Sequence, residues 1–457
     1  MTVKEVLASW KGEAVKAAME EEIHSLVGMG TWELVECPRG MKIMKNRWVL
    51  TTKYLLDDTV EREKARLVVK AFTQVCGADY DETYSPVSSY VMLRIFLSIV
   101  AVFDLNLMQL DMKNAFLQSK LDRVLYMYQP DYIDDGTGRV CKLLKRLYKL
   151  KQSPLLSYRA LDGVLLGAGW KKSQVDEALY FKASDDGVTC WVLVYVDDLL
   201  AASSSPAMLK ELKQLLGDVF ELREISLVVK YLGLEIMRDR PAKKLWLHQQ
   251  SYADKLRRRF IDEEQGGRVP KTLFVATTTR PDIAFACSKL GSSLTLRSDQ
   301  HWREVNRCLA YLADTRDTAL EFGGVPDSLE LIGYVDADDA GDKQKRTSTS
   351  GYVFVYGGAA LLDAGKPTIL RVDNKSAITI AAGLGLTGNL KHMERRYAWL
   401  QHMVRRGKFV LQYIPTTEQP VDFLTKALHF LAFNRCSLAI GQVCLADVGD
   451  GDDDVQQ

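Results

Sequence analysis

Residues 188–202 read Val188-Thr189-Cys190-Trp191-Val192-Leu193-Val194-Tyr195-Val196-Asp197-Asp198-Leu199-Leu200-Ala201-Ala202. Two almost unbroken β-prone runs flank one pair of acids, the pattern of a buried hairpin with carboxylates at its tip. Adjacent carboxylates in so apolar a setting are costly, because burial and like charge both raise their pKa values. Bound divalent cations remove that cost. Two such ions roughly 3.5–4 Å apart can clamp the attacking and leaving oxygens of a phosphoryl transfer. A site of this kind needs a third carboxylate from another strand end. Leu105-Asn106-Leu107-Met108-Gln109-Leu110-Asp111 alternates like a strand and ends in acid, so Asp111 is the natural partner. Period-two alternation sends neighbours in a regular strand to opposite sides. That assigns Asp197 to share metals with Asp111 and gives Asp198 a lesser part. Asp-Asp is also ordinary in surface turns, so the pair needs support from elsewhere in the chain.

Upstream, residues 12–27 carry Val15, Ala18, Met19, Ile23, Leu26 and Val27 at helical spacing. A short strand is expected over 31–35. Residues 47–54 and 66–70 form a hairpin with basic residues on one side and a turn at Asp57-Asp58. A helix is expected over 88–103, and an amphipathic one over 207–219. Beyond 235 the chain turns helical, with a basic stretch over 249–260 and helices within 282–312. A second α/β segment begins near Leu329, with strands ending at Asp336 and Asp373, a strand over 351–356 and a helix over 391–405.

The 457 residues are 47% hydrophobic and 26% charged, with 60 Lys+Arg against 59 Asp+Glu. This is a globular composition, long enough for two to four domains. The near-neutral total neither demands nor forbids a nucleic-acid partner, since a basic groove can be balanced by acid elsewhere. The eight cysteines include no C-x-x-C pair and the six histidines show no ligand spacing, so zinc-ribbon and thioredoxin-like readings lose their support. The N-terminus carries Lys4, Glu5 and Lys11 rather than an apolar signal segment, which favours an intracellular protein of cytoplasm or nucleus. The strongest apolar run, Leu93–Phe103, is 11 residues with Arg94 inside. A membrane span needs about 20, so no membrane partner is expected.

The words around the acids decide between turn and site. Gln109-Leu110-Asp111-Met112-Lys113-Asn114-Ala115-Phe116-Leu117, Leu150-Lys151-Gln152-Ser153-Pro154 and Leu193-Val194-Tyr195-Val196-Asp197-Asp198-Leu199 together resemble the reverse transcriptase of copia-type LTR retrotransposons. Further matches follow in the same order, among them Lys64-Ala65-Arg66-Leu67-Val68, Lys230-Tyr231-Leu232-Gly233-Leu234-Glu235-Ile236, Thr279-Arg280-Pro281-Asp282 and Thr347-Ser348-Thr349-Ser350-Gly351-Tyr352-Val353. The resemblance runs from about residue 3 to 435.

It implies an α/β (α+β) fold: a right-hand polymerase with fingers, palm and thumb, then an incomplete ribonuclease H-like α/β domain. The implied boundaries are 1–90 for fingers and N-terminal segment, 91–240 for palm, 241–325 for a shortened thumb and connection, 326–435 for the ribonuclease H-like domain, and 436–457 for a disordered acidic tail. Asp111, Asp197 and Asp198 would be the catalytic acids holding two Mg²⁺, with Mn²⁺ as a substitute. Lys64, Arg66, Phe116 and Gln152 would contact the nucleotide, Phe116 as the bulky residue that rejects a 2′-hydroxyl. Lys230, Tyr231, Leu232 and Gly233 would position the primer. The partners implied are an RNA template, a DNA primer, an RNA–DNA hybrid and dNTP, with other element-encoded proteins alongside. Asp336, Asp373 and Asp422 match three of the four ribonuclease H acids.

The family pattern breaks in several places. The helix that carries the fourth acid, a Glu, is missing, because Gly357 is followed within ten residues by Pro367. Its loss would uncover apolar sheet and abolish ribonuclease activity. A second shortening falls between Phe260 and Lys271. Leu155-Leu156-Ser157 replaces Arg-Ala-Trp, Lys149 stands for Gly and Asp339 for Trp. Two readings follow: a working RNA-directed DNA polymerase module whose ribonuclease half is inactive, or a catalytically dead remnant that at most binds nucleic acid.

Overall fold

A computed structural model of the chain describes residues 3–9, 11–54, 60–75, 77, 79–112, 120–147, 150–225, 228–262, 272–292, 298–324, 331–337, 349–356, 368–381 and 401–448. They divide into two compact units, Met1–Ser88 with Leu107–Ser226, and Ser89–Asn106 with Leu227–Gln457.

The first unit is built around a six-stranded sheet in the order Leu222–Ile225, Asn106–Met112, Asp198–Ser203, Thr189–Tyr195, Leu179–Ala183, Lys171–Lys172. Helices Ser153–Gly167 and Pro206–Gly217 pack on one face of it. Leu161, Leu165, Leu209, Leu212 and Leu216 meet Met108, Leu110, Met112, Cys190, Val192, Val194, Leu199 and Ala201 in one buried cluster. Each fully buried aliphatic side chain contributes about 1.5–3 kcal/mol relative to exposure, which fixes which face of each strand looks at the helices. Helix Ser153–Gly167 opens with Pro154 in its first turn, where a missing N–H costs nothing. It closes on Gly169 at φ +82°. There Trp170 N–H donates to Leu165 O and Gly169 N–H to Leu166 O, each at 3.0 Å, and Trp170 joins the same core as Leu165.

A four-stranded sheet (Trp32–Val35, Val140–Lys145, Lys120–Tyr128, Ile43–Met44) and the two-stranded hairpin Asn46–Tyr54/Val60–Val69 complete the unit. Helix Gly12–Gly28 lays Val15, Ala18, Met19 and Leu26 against Ala65, Leu67 and Val69 of that hairpin. Strand alternation then turns Lys64 and Arg66 to the hairpin's other side. The turn residues Asp57 and Asp58 lie outside the described residues.

In the second unit an antiparallel five-stranded sheet runs Lys230–Tyr231, Leu234–Asp239, Lys244–His248, Thr318–Gly323, Gln442–Cys444. Helices Gln250–Arg257, Ala284–Ser292 and Asp299–Asp314 share a core of Leu256, Ile283, Val305, Leu309 and Leu312. The fully buried Arg280–Asp282 pair (2.7 Å) is tied to Tyr311, Thr315 and Gln442. A separate mixed sheet runs Ser350–Tyr356, Leu331–Ala337, Thr368–Val372, Phe409–Tyr413. Its first pair is antiparallel and the other two are parallel.

Two expectations differ from this arrangement. Helix Tyr90–Val102, expected with the palm, groups with the second unit, where its apolar face packs on Lys244–His248 and Thr318–Gly323. The tail expected to be disordered from 436 is ordered to Val448 and is corrected there. Cys436 is buried within helix Phe430–Ala439, and Gln442–Cys444 pairs with Thr318–Leu320 because that strand edge offers it backbone partners. Residues 449–457 and most of the helix expected over 391–405 lie outside the described residues. No described helix is long and apolar enough to cross a membrane.

Candidate functional site

The hairpin of residues 189–203 turns through two residues. Tyr195 pairs with Asp198, which leaves Val196 and Asp197 as the turn. Val196 has φ +57°, a conformation costly for a β-branched residue. The neighbouring strand Asn106–Met112 reaches the same end of the sheet, where the Met112 N–H donates to Asp197 O at 2.9 Å. Met112 and Leu199 face the helices, so alternation turns Asp111 and Asp198 together to the opposite face. The sequence argument that separates Asp197 from Asp198 by strand alternation therefore does not apply, because Asp197 sits in the turn and not in a strand. All three acids converge.

Their electrostatics follow from that. Burial, then the charges of Asp198 and Asp111, push the Asp197 carboxyl up to about 7, while the Arg66 guanidinium pulls it down. Burial and then Asp111 raise Asp198 as well. Among the described residues Asp197 Oδ1 is buried without a hydrogen-bond partner. The three carboxyls are close enough for their charges to couple, and carboxylates are the donors a hard divalent cation takes. Among the described residues, however, the trio whose oxygens gather tightly enough to share one ion is a different one, at the end of the mixed sheet.

Arg66 is exposed and Lys64 half-exposed on the strand Val60–Val69. Gln152, the expected nucleotide contact, is buried, and its amide bonds Gln74 and Asp79. Gln74 Nε2 donates to Gln152 Oε1 at 3.0 Å, and Gln152 Nε2 donates to Asp79 O at 3.2 Å. Lys151 joins this knot through Gln74 O and the Tyr80 hydroxyl. The sequence reading missed Gln74, which sits in a segment without periodicity. Phe116 lies outside the described residues. Lys230, Tyr231, Leu232 and Gly233 belong to the second unit. Leu232 (φ +51°) and Gly233 (φ +80°) form a two-residue turn between Tyr231 and Leu234. Tyr231 is buried and Lys230 exposed.

A second acid cluster lies at the end of the mixed sheet. Ligand oxygens of Asp336, Asp373 and Asp422 all fall within 4.8 Å of one another. Asp336 accepts a short hydrogen bond from the Thr425 hydroxyl, and Lys426 Nζ sits 2.9 Å from Asp422. Burial raises the Asp422 carboxyl against the pull of Lys426. Gly351 permits this closeness, because a Cβ there would come within 2.9 Å of Leu424 Cβ and Thr425 Cγ2. Among the described residues Asp422 Oδ1 is buried without a hydrogen-bond partner, so this trio fits a divalent cation.

Residues 29–269 match the family model described as reverse transcriptase (RNA-dependent DNA polymerase). The chain belongs to that family. This reverse transcriptase is of the copia-type retrotransposon Pol kind. It is 32% identical over 514 aligned residues to the retrovirus-related Pol polyprotein from transposon TNT 1-94 of Nicotiana tabacum, across 96% of this chain and 39% of the relative. To the polyprotein from transposon RE1 of Arabidopsis thaliana it is 30% identical over 500 residues, across 94% of this chain and 34% of the relative. The chain thus spans well under half the length of these curated relatives. Both alignments are longer than the chain itself, so they cross segments that the relatives have and this reverse transcriptase lacks. Among solved structures, the foamy viral protease-reverse transcriptase dRH in complex with ds DNA matches with a TM-score of 0.50 at 14% identity, covering 88% of this chain and 70% of that one. The fold is accordingly the mixed α/β fold of a polymerase with a ribonuclease H-like part.

Proposed function

We propose that this chain is an RNA-directed DNA polymerase that extends a DNA primer on an RNA template by two-metal nucleotidyl transfer. The observation that carries the reading is the convergence of Asp111, Asp197 and Asp198 at one sheet end, with Asp197 pushed up to about 7 and one of its oxygens left unsatisfied. Two bound Mg²⁺ ions would supply charge for the 3′-hydroxyl and the leaving pyrophosphate. The chain's own residues do the rest. The three carboxylates hold the ions. Lys64 and Arg66 neutralise the triphosphate of an incoming dNTP. Gln152 contacts the nucleotide once its amide leaves Gln74 and Asp79. The hairpin Lys230-Tyr231-Leu232-Gly233 positions the primer end.

The same reading makes the ribonuclease half inactive. Asp336, Asp373 and Asp422 still gather, but the sequence has no room for the Glu-bearing helix that completes the family's site. The long alignments are consistent with such a loss.

Primer extension on an RNA template with Mg²⁺ tests the proposal. The wild type incorporates dNTP, and Asp197→Asn lowers kcat at least a hundredfold. Salt-sensitive primer–template binding with no extension by either protein establishes the binding remnant instead. Cleavage of an RNA–DNA hybrid that Asp336→Asn abolishes would overturn the inactive-ribonuclease reading.

A further inference from the structure

Helix Gly12–Gly28 carries three consecutive glutamates, and one of them lies on its buried side. Val15, Ala18, Met19 and Leu26 form the apolar stripe, and Glu22 falls on it, four residues after Ala18 and four before Leu26. Glu20 and Glu21 are exposed, whereas Glu22 is half-buried. Its Oε1 accepts the Leu67 N–H at 3.2 Å. Leu67 is the residue after Arg66, on a strand with one described strand neighbour, Asn46–Tyr54. Burial raises the Glu22 carboxyl, against the Leu67 N–H and the charges of Arg66 and Lys64. The other end of the hairpin is pinned to Lys11, the residue that caps the start of the same helix. Lys11 Nζ bonds Glu63 at 2.9 Å and Thr52 at 3.1 Å, and Thr52 in turn donates to Glu63.

We propose that Glu22 is a positioning residue for nucleotide binding: its carboxylate anchors the outer edge of the strand Val60–Val69 and so fixes where Lys64 and Arg66 present their charges. Placing an acid on an otherwise apolar stripe has a cost, and the return is a fixed strand edge beside two cations. Helix Gly12–Gly28 acts through the hairpin and touches no nucleotide. The inference rests on the reading that these cations meet a triphosphate.

Steady-state primer extension by the full chain, with saturating primer–template, separates kcat from the KM for dNTP, and a binding titration gives the primer–template affinity. Glu22→Asp keeps the charge but withdraws it by one carbon, and raises the KM for dNTP about fivefold. Glu22→Gln keeps an acceptor at full reach and stays within about twofold of the wild type, with kcat and primer–template affinity within about twofold in both variants. An unmoved KM in Glu22→Asp overturns the proposal. So does a defect of equal size in Glu22→Gln, or a uniform loss of KM, kcat and template affinity. A wild type that extends no primer overturns the polymerase reading and this inference with it. An active wild type with an indifferent Glu22→Asp overturns this inference alone.

Discussion

At Val196 and Asp197 the chain holds a β-branched residue at positive φ beside a half-buried acid. Backbone strain of this kind costs of order 1–3 kcal/mol and is kept where surrounding structure over-determines it. The acid adds its own cost. A carboxyl whose folded-state pKa lies above its unfolded value binds a proton more tightly in the folded chain. Its favourable contribution is complete below the unfolded pKa and is lost as pH rises through about 7. Without divalent cations the protein is therefore less stable at pH 8 than at pH 5. Asp197→Asn removes that loss and is more stable than the wild type at pH 8 by on the order of 1–3 kcal/mol. Urea unfolding in chelator at the two pH values checks this, and equal stability of the two proteins at pH 8 would count against it. The three acids were legible in the sequence because each ends or interrupts a β-prone run. The seat of Asp197 was not, since alternation speaks only for residues inside a strand. Gln152 was legible as a residue of interest, but its bond to Gln74 depends on a loop conformation that no periodicity encodes.

Among the elements, the hairpin that bears Lys230 is tied down by Glu235. Burial pushes the Glu235 carboxyl up, but His248 at 3.2 Å and the Ser251 hydroxyl and N–H outweigh it and hold it at about 2. A depressed folded-state pKa contributes stability that is present above the unfolded value and is lost as pH falls through about 2. Glu235→Gln should cost about 1–2 kcal/mol at pH 7 and flatten the acid-side loss of stability between pH 4 and 2. Thermal unfolding across that range measures both effects. In helix Ser153–Gly167, Ser157 stands where the resemblance implies a Trp, and the fully buried Arg146 donates to the Ser157 hydroxyl at 3.2 Å and to Ser153 O at 2.9 Å. Restoring the large residue with Ser157→Trp would crowd that guanidinium. It should destabilise the chain by about 1–3 kcal/mol. Chemical unfolding of the variant decides the sign. Hairpins and amphipathic helices were readable from period alone, whereas which side chain fills a vacated position is a packing outcome.

Across the whole chain, two α/β regions could be read from the sequence, but the membership of two elements could not. Tyr90–Val102 joins the second unit, and Gln442–Cys444 completes a sheet begun two hundred residues earlier. Such long-range pairings leave no local signature. The mixed sheet carries exposed apolar side chains. Tyr352 (68% exposed), Phe354 (50%), Val335 and Tyr413 lie exposed on one face by register. Replacing Tyr352 and Phe354 by Lys should change stability by no more than about 0.5 kcal/mol each and raise the soluble yield. Expression with paired unfolding curves tests that.

The pairing of Gln442–Cys444 with Thr318–Leu320 brackets the mixed sheet in the chain. An engineer who shortens the gene by placing a stop codon after residue 325 would therefore not obtain a self-contained fold. The remaining protein would expose the raw margin of its five-stranded sheet and lose the Gln442 amide from the buried Arg280–Asp282 pair. Looping out the mixed sheet while keeping the segment from Asp422 onward preserves both the ribbon Gln442–Cys444 and the packing of Asp422–Thr425 and Phe433 against Ala284–Ser292 and Tyr311.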